Sequence, residues 1–337
     1  MPPPTEPFED LRPRLEGLAY RMLADSAEAQ DVVQDAWIRW SGVNREAVDE
    51  PAAFLHRTVT RLCLDRLKSA RARREQYVGP WLPEPIATAQ GPGTGAPPHR
   101  SDPEAQAFLA DDLSFALLLA LERLTPVARA AFLLHDVFDH AYHDIAEALG
   151  RSPAACRQLV SRARRQIREA RPRSGKADRA MHRELLHRFV AACATGDTEA
   201  LAELLCDDAV LVSDGGGVVA AARKPIHGVR AITRFQIGLR DLHQRNGWRV
   251  ETKHVELNGE PAVLVWVDGD LSQAVLIELA GTQIARVYGV RHPAKLAALS
   301  ARFSGSKTGE NSQPSGGPEP GDANQSRHSG PEERHDP

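Results

Sequence analysis

Apolar residues recur at helical spacing through roughly the first 200 positions of this chain and then give way to the alternating or continuous runs of β-strands. A first helix is predicted from Phe8 to Leu23. Asp25, with Glu28 three residues on, forms a capping box for a second helix with Val32, Val33, Ala36, Trp37 and Trp40 on its inner stripe. Asp31, Gln34 and Asp35 fall on the outer side of that helix. After a polar loop from Ser41 to Glu50, Pro51 opens a third helix that turns Phe54, Leu55, Val59 and Leu62 inward and Arg57, Arg61 and Lys68 elsewhere. Leu117, Leu118, Leu121 and Leu124 then precede Thr125-Pro126 and a helix through Phe132, Leu133 and Val137.

The stretch from Ala141 to Ile167 combines two such helices with a tight turn. Ile145, Ala146 and Leu149 face inward on the first, Gly150 supplies a permissive C-cap, and Ser152-Pro153 is an N-cap and first-turn pair that restarts the chain. Cys156, Leu159, Val160, Ala163 and Ile167 share one side of the second helix. Past Asp178, helices over 179–195 and 197–205 lead into strand-like runs at 209–213, 248–257, 262–267, 271–279 and 283–290. Asn258-Gly259 and Asp268-Gly269 are hairpin turn signals between them. The expected architecture is multidomain: two all-α units, the second with a helix-turn-helix, and a C-terminal α+β unit with an antiparallel sheet packed on helices.

Composition refines this division. Between Gly79 and Asp102 the chain turns to Pro, Gly, Ala and Thr with no period, as a linker does, although Trp81-Leu-Pro-Glu-Pro85 is too apolar for a plain spacer and is expected to dock. The Ser-, Gly- and Pro-rich end from Ser304 is expected to be disordered. The 337 residues carry a net charge of −3, yet Arg and Lys concentrate at 57–74 and again at 151–176, which suits two contacts with a polyanion. Cys63, Cys156, Cys193 and Cys206 sit singly without metal-ligand or disulfide spacing, so no metal and no cofactor is expected. Apolar runs fall far short of the roughly 20 residues that span a bilayer, and the first residues lack a secretory pattern, so a cytoplasmic protein with no membrane partner is expected.

The helix-turn-helix carries the clearest chemistry. Ala154 at the start of its second helix lets backbone approach a DNA groove, Arg157 and Gln158 are suited to base edges, and Ser161, Arg162 and Arg165 reach bases or phosphates. A solvated basic helix in a bundle is the plain alternative.

With both helical units considered, the chain resembles bacterial RNA polymerase sigma factors of the extracytoplasmic-function class. Asp31-Val-Val-Gln-Asp-Ala-Trp37 looks like the family's polymerase-binding helix, and Pro51-Ala-Ala-Phe-Leu55 through Asp65-Arg-Leu-Lys68 looks like its promoter −10 helix. Leu124-Thr-Pro126 and the helix-turn-helix match the −35 domain. The remainder resembles a SnoaL-like, cone-shaped (NTF2-like) domain, as in the subgroup with such an extension. Trp81-Leu-Pro-Glu-Pro85 matches that subgroup fully, Asp214-Gly-Gly-Gly217 is followed by Val218 where a lysine is common, and Arg291-His-Pro-Ala-Lys-Leu296 keeps Pro293, Lys295 and Leu296 of its third motif.

The resemblance implies a region 2 unit over 1–78, a linker over 79–102, a region 4 unit over 103–177, a regulatory SnoaL-like unit over 178–303 and a tail over 304–337. It implies core RNA polymerase, through its β and β′ subunits, and promoter DNA as partners. Asp31, Gln34, Asp35 and Ile38 would meet polymerase, whereas Asn44, Arg45, Arg57, Arg61 and Lys68 would meet the −10 element. Trp81, Leu82 and Pro83 would pack against Asp214, Gly215, Gly216, Gly217, Pro293, Lys295 and Leu296 to regulate in cis. An unidentified small ligand in the C-terminal cavity is a further candidate partner. No catalytic role is expected, although His254, Asp214 and Trp266 could be imagined in such a cavity. A one-component regulator with a ligand-sensing cone is the alternative, disfavoured because it needs neither the 31–37 helix nor the basic third helix. A cyclase-like enzyme fused to a DNA-binding module is a third reading.

Overall fold

Local signals set most helix boundaries. In the computed structural model, which describes residues 6–44, 48–75, 77–88, 113–170 and 179–303, α1 (Glu6–Leu23) is followed by α2 (Ser26–Ser41) and α3 (Pro51–Glu75). The Asp25 side chain accepts the Glu28 amide at 2.9 Å, as the capping box predicts. Then come α4 (Phe115–Glu122), capped by Ser114, and α5 (Pro126–Phe132), capped by Thr125, which loosens into one π-helical turn at Leu133–Val137. The helix-turn-helix is α6 (Tyr142–Leu149) and α7 (Pro153–Ala170).

The two helical segments share one apolar core that runs from Phe8 through Trp40, Leu55 and Leu121 to Ile167. Arg129 on α5 is buried across this seam, donating to the Met22 carbonyl at the end of α1 (2.5 Å) and to Glu122 (2.7 Å). A guanidinium there satisfies a helix-end carbonyl that water cannot reach.

The C-terminal unit comprises α8 (Arg179–Thr195), α9 (Thr198–Leu204), β1 (Leu205–Asp214), β2 (Ile226–His227), α10 (Val229–Arg245), β3 (Val250–Leu257), β4 (Glu260–Val267), β5 (Asp270–Ala280), β6 (Gln283–Val290) and α11 (Pro293–Phe303). The strands form one sheet in the order β2-β1-β6-β5-β4-β3. The expected antiparallel sheet is found except at one pair, because β1 and β6 run parallel, from Val210 opposite Arg286 to Asp214 opposite Val290. Both hairpin turns form as predicted, with positive φ at Asn258, Gly259, Asp268 and Gly269. Helices α10 and α11 have no counterpart among the expected elements, although Ile232, Phe235, Leu239 and Leu242 recur at helical spacing on α10.

Both faces of the central strands β4, β5 and β6 are covered, which is why these carry apolar runs, whereas the edge strand β3 is polar and largely exposed. Val263, Val275, Ile277 and Val287 face a cluster with Leu186 and Phe189 of α8 and Ile232 of α10. Their neighbours Leu264, Ala274, Leu276 and Tyr288 face the opposite way, into a cluster with Leu296 and Leu299 of α11, Leu82 of the linker and Phe115 of α4. One sheet face is thus completed by residues from outside its own unit.

Candidate functional site

The helix-turn-helix is built as the spacing predicts. Gly150 takes the left-handed conformation (φ 62°) and donates to the Ala146 carbonyl, and the Ser152 hydroxyl accepts the Ala155 amide at 3.2 Å. Cys156, Val160, Ala163 and Ile167 are buried, and Ala154, Arg157, Gln158, Ser161, Arg162 and Arg165 are exposed together on the opposite side. Arg157 lies over the Tyr142 ring, 5.7 Å from its centroid. Arg164 instead serves the fold, because its guanidinium grips Asp136 through two bonds of 2.7 and 2.6 Å and ties α7 to the π-helical turn.

The basic side of α3 is not open to solvent throughout. Arg57 pairs with Glu147 on α6, and Arg61 donates to the carbonyls of Ala148 (3.2 Å) and Glu147 (3.0 Å). These carbonyls belong to the last turn of α6, where the helix dipole presents partial negative charge. Two of the expected −10 contacts are therefore spent, in this conformation, on the helix-turn-helix. Lys68 is exposed beside Asp65 (2.8 Å) and Asn44 is exposed, whereas Arg45 lies outside the described residues. On α2, Asp31 and Gln34 are exposed, Asp35 holds Arg66 at 3.2 Å, and Ile38 presents 57% of its surface to solvent.

The linker converges with the C-terminal unit on Asp214. This carboxylate, wholly buried at the end of β1, accepts the Tyr77 hydroxyl (2.5 Å) on one oxygen, and the Leu82 amide (2.9 Å) and Lys295 ammonium (2.6 Å) on the other. Lys295 also donates to the Leu82 carbonyl at 2.5 Å and lies over the Trp81 ring, 4.3 Å from its centroid. Burial, then the bond to Asp214, raises the pKa of Tyr77, so its proton stays in place for donation. Leu82, Pro83, Glu84 and Pro85 are all buried, as expected of a docked segment.

The glycine turn explains itself by close approach. Gly216 has φ 60°, and a side chain there would strike the His292 ring and come within 2.8 Å of the Tyr77 hydroxyl; at Gly217 (φ 75°) it would come within 2.9 Å of Val78. Of the third motif, Lys295 reaches the linker and Leu296 enters the cluster that holds Leu82. Pro293 is the correction: it is exposed and serves as the first residue of α11. His254 stacks on His187 (5.3 Å between ring centroids), and the oxygens of Asp214 accept from Tyr77, the Leu82 amide and Lys295.

The sequence reading gave Tyr20, Tyr77, Glu84 and Asn258 no part in this junction. Glu84 accepts both the amide (2.6 Å) and the hydroxyl (2.8 Å) of Ser26, adding a second carboxylate to the start of α2, and burial raises its pKa. Tyr20 on α1 donates to the Glu84 carbonyl (2.6 Å) and accepts from Asn258 (2.8 Å), whose oxygen in turn accepts the Ile86 amide (3.1 Å). The signal that could have found Glu84 is an acid, fourth of five residues, in the otherwise apolar Trp81–Pro85 stretch. A small cleft of about 370 Å³ lies beside the seam, lined by Val78, Gly79, Ser213 and the 215–223 turn.

The chain is similar to known proteins over its helical segments and over most of its length. Residues 8–73 match Sigma-70 region 2, and residues 114–167 match Sigma-70, region 4. The ECF RNA polymerase sigma factor SigJ of Mycobacterium tuberculosis (strain H37Rv) is 43% identical over 234 residues, 69% of this chain and 72% of that protein. A probable ECF RNA polymerase sigma factor of the same species, SigI, is 33% identical over 87% of this chain and 95% of its own length. The crystal structure of M. tuberculosis SigJ superposes with a TM-score of 0.66 at 32% identity, covering 87% of this chain and 98% of that one.

Proposed function

Because the chain belongs to the extracytoplasmic-function RNA polymerase sigma factors, of the SigJ type, and so directs transcription initiation, we propose how its surfaces divide that work. Core RNA polymerase is held by the exposed edge of α2, Asp31, Gln34, Asp35 and Ile38, with charge setting approach and register against its β and β′ subunits. Arg57, Arg61 and Lys68 track the −10 strand, and Asn44 with Arg45 takes a base from the opening duplex. Helix α7 lies in the −35 major groove. The work is done in the cytoplasm, where its template is, and involves no covalent chemistry by this chain; no described helix is long and apolar enough to cross a membrane.

The observation that carries this reading is the exposed set Ala154, Arg157, Gln158, Ser161, Arg162 and Arg165, on a helix whose other side is fully committed to the core. The docking of Arg57 and Arg61 on α6 adds a regulatory step: the −10 surface must be released before it can engage DNA. The Asp214 junction holds the linker between the two DNA-binding units, and through it the C-terminal unit controls their spacing in cis. A ligand in that unit would act through the same seam.

Run-off transcription by core polymerase reconstituted with the full chain, on random promoter DNA, tests the reading. Initiation with a recovered −10 and −35 pair is the expected result. On that promoter Arg157→Ala should relax −35 specificity by about 1 to 3 kcal/mol, whereas Arg165→Ala should weaken all sequences alike and flatten the salt dependence. No initiation on any template, or identical behaviour of the two variants, would overturn it.

A further inference from the structure

The C-terminal unit carries a concentration of positive charge that none of the assignments above uses. From Gly215 to Arg249 the sequence holds seven Lys and Arg residues against one carboxylate, Asp241, and that one is paired with Arg240 at 3.2 Å. Arg223, Lys224, Arg230 and Arg234 are exposed and have no ion-pair partner among the described residues. Arg230 and Arg234 stand one turn apart on α10 and so share a face.

Position makes this patch more than a solvated face. The backbone of Arg223 abuts Gly79, where an added Cβ would lie 3.7 Å from the Arg223 Cα, and Val78 packs against Gly217. Gly79 is four residues past the end of α3, a span of at most about 14 Å at roughly 3.5 Å per residue. Helix α3 itself closes with Arg71, Arg73 and Arg74. The basic sequence of the −10 helix therefore leads, across the docked linker, onto the loop that begins the second patch.

We propose that Arg223, Lys224, Arg230 and Arg234 form an additional, sequence-independent contact with the phosphate backbone of duplex promoter DNA, continuing the track begun by α3. This rests on the sigma-factor reading for the presence of promoter DNA beside α3. Isolated guanidinium and ammonium groups without local carboxylates are what a phosphate backbone requires. The segment that carries the four, 223–234, holds no Phe, Tyr or Trp, which fits duplex rather than unstacked bases.

The test is the salt dependence of promoter binding by holoenzyme reconstituted with full-length protein. Each lost phosphate contact removes about 0.9 from the slope of log K against log salt, so Arg223→Gln/Lys224→Gln/Arg230→Gln/Arg234→Gln should flatten the slope by about 3 to 4. The loss should be equal on promoters with altered flanking sequence, and a variant with lysine at all four positions should keep the original slope, because phosphate contact needs charge rather than the arginine fork. An unchanged slope, or weaker binding to core polymerase with unaltered DNA binding, would overturn the proposal. Run-off transcription by the same wild-type holoenzyme, measured alongside, separates failure of this patch from failure of the sigma-factor reading.

Discussion

Replacing Lys295 by methionine would remove the cation of the Asp214 junction while keeping most of its aliphatic stem. The Lys295 side chain is 11% exposed and that of Asp214 is 0% exposed, so the pair is screened little by solvent. Breaking one partner of such a buried pair typically costs about 3 to 5 kcal/mol, chiefly because the other charge is left uncompensated. Asp214 retains its bonds from Tyr77 and the Leu82 amide, which places the cost toward the lower end, about 3 kcal/mol. At about 1.4 kcal/mol per tenfold change, the equilibrium between docked and released linker should move by roughly 100-fold. Hydrogen exchange of the Leu82 amide reads this directly, since that amide is bonded to Asp214. Its protection should fall by about that factor, with the amides of α7 little changed. The double variant Asp214→Asn/Lys295→Met should lose less, as no orphaned charge remains. Unaltered protection at Leu82, or an equal loss throughout the chain, would refute the claim that Lys295 holds the linker.

Two further predictions concern the contact between the helical units. His56 is buried 5.5 Å from the Phe138 ring and 4.7 Å from the His140 ring; burial, then His140, lowers its pKa to about 4, with Arg14 acting in the same direction while Asp139 and Asp144 act on His140. The folded chain thus prefers a neutral imidazole, so stability is complete above the unfolded value near 6.5 and is lost as pH falls toward 4, about 2 kcal/mol of it by pH 5. Denaturant midpoints at pH 7 and pH 5 should show that loss shrink in His56→Leu; an equal loss in both proteins would count against it. Glu147→Arg should turn the Arg57 ion pair into a repulsion worth about 1 kcal/mol at this partly exposed site, releasing the α3 surface. Free full-length protein should then bind a single-stranded −10 oligonucleotide about fivefold more tightly, and unchanged affinity would show that the α3–α6 contact does not mask it.

The residues also show where a linear reading reaches its limit. Asp25 capping Glu28, Ser152 capping Ala155, the left-handed Gly150 and the Asn258-Gly259 turn are interactions among residues one to four positions apart, and each was legible because such geometry repeats wherever that spacing occurs. The exposed side of α7 follows from the same arithmetic, since the apolar stripe defines its complement. Glycines at 215–217 and the apolar Trp81–Pro85 stretch announced a close approach, and the family motifs named the two sides, without stating which atoms meet.

The amino-acid order by itself determined the helices with strong periods, the turns, the helix-turn-helix and its solvent face, and the division into α-rich and β-rich parts. Only the tertiary structure decided that Arg61 would cap a helix 86 residues away, that Tyr20 would meet Asn258 across 238 residues, and that β1 would lie parallel to β6. The physical reason is range. Backbone propensity and capping act over one turn of chain, whereas an exposed arginine or a buried tyrosine acquires its partner from the packing of several elements at once, and nothing in its immediate neighbours specifies which carbonyl will be brought within hydrogen-bonding reach.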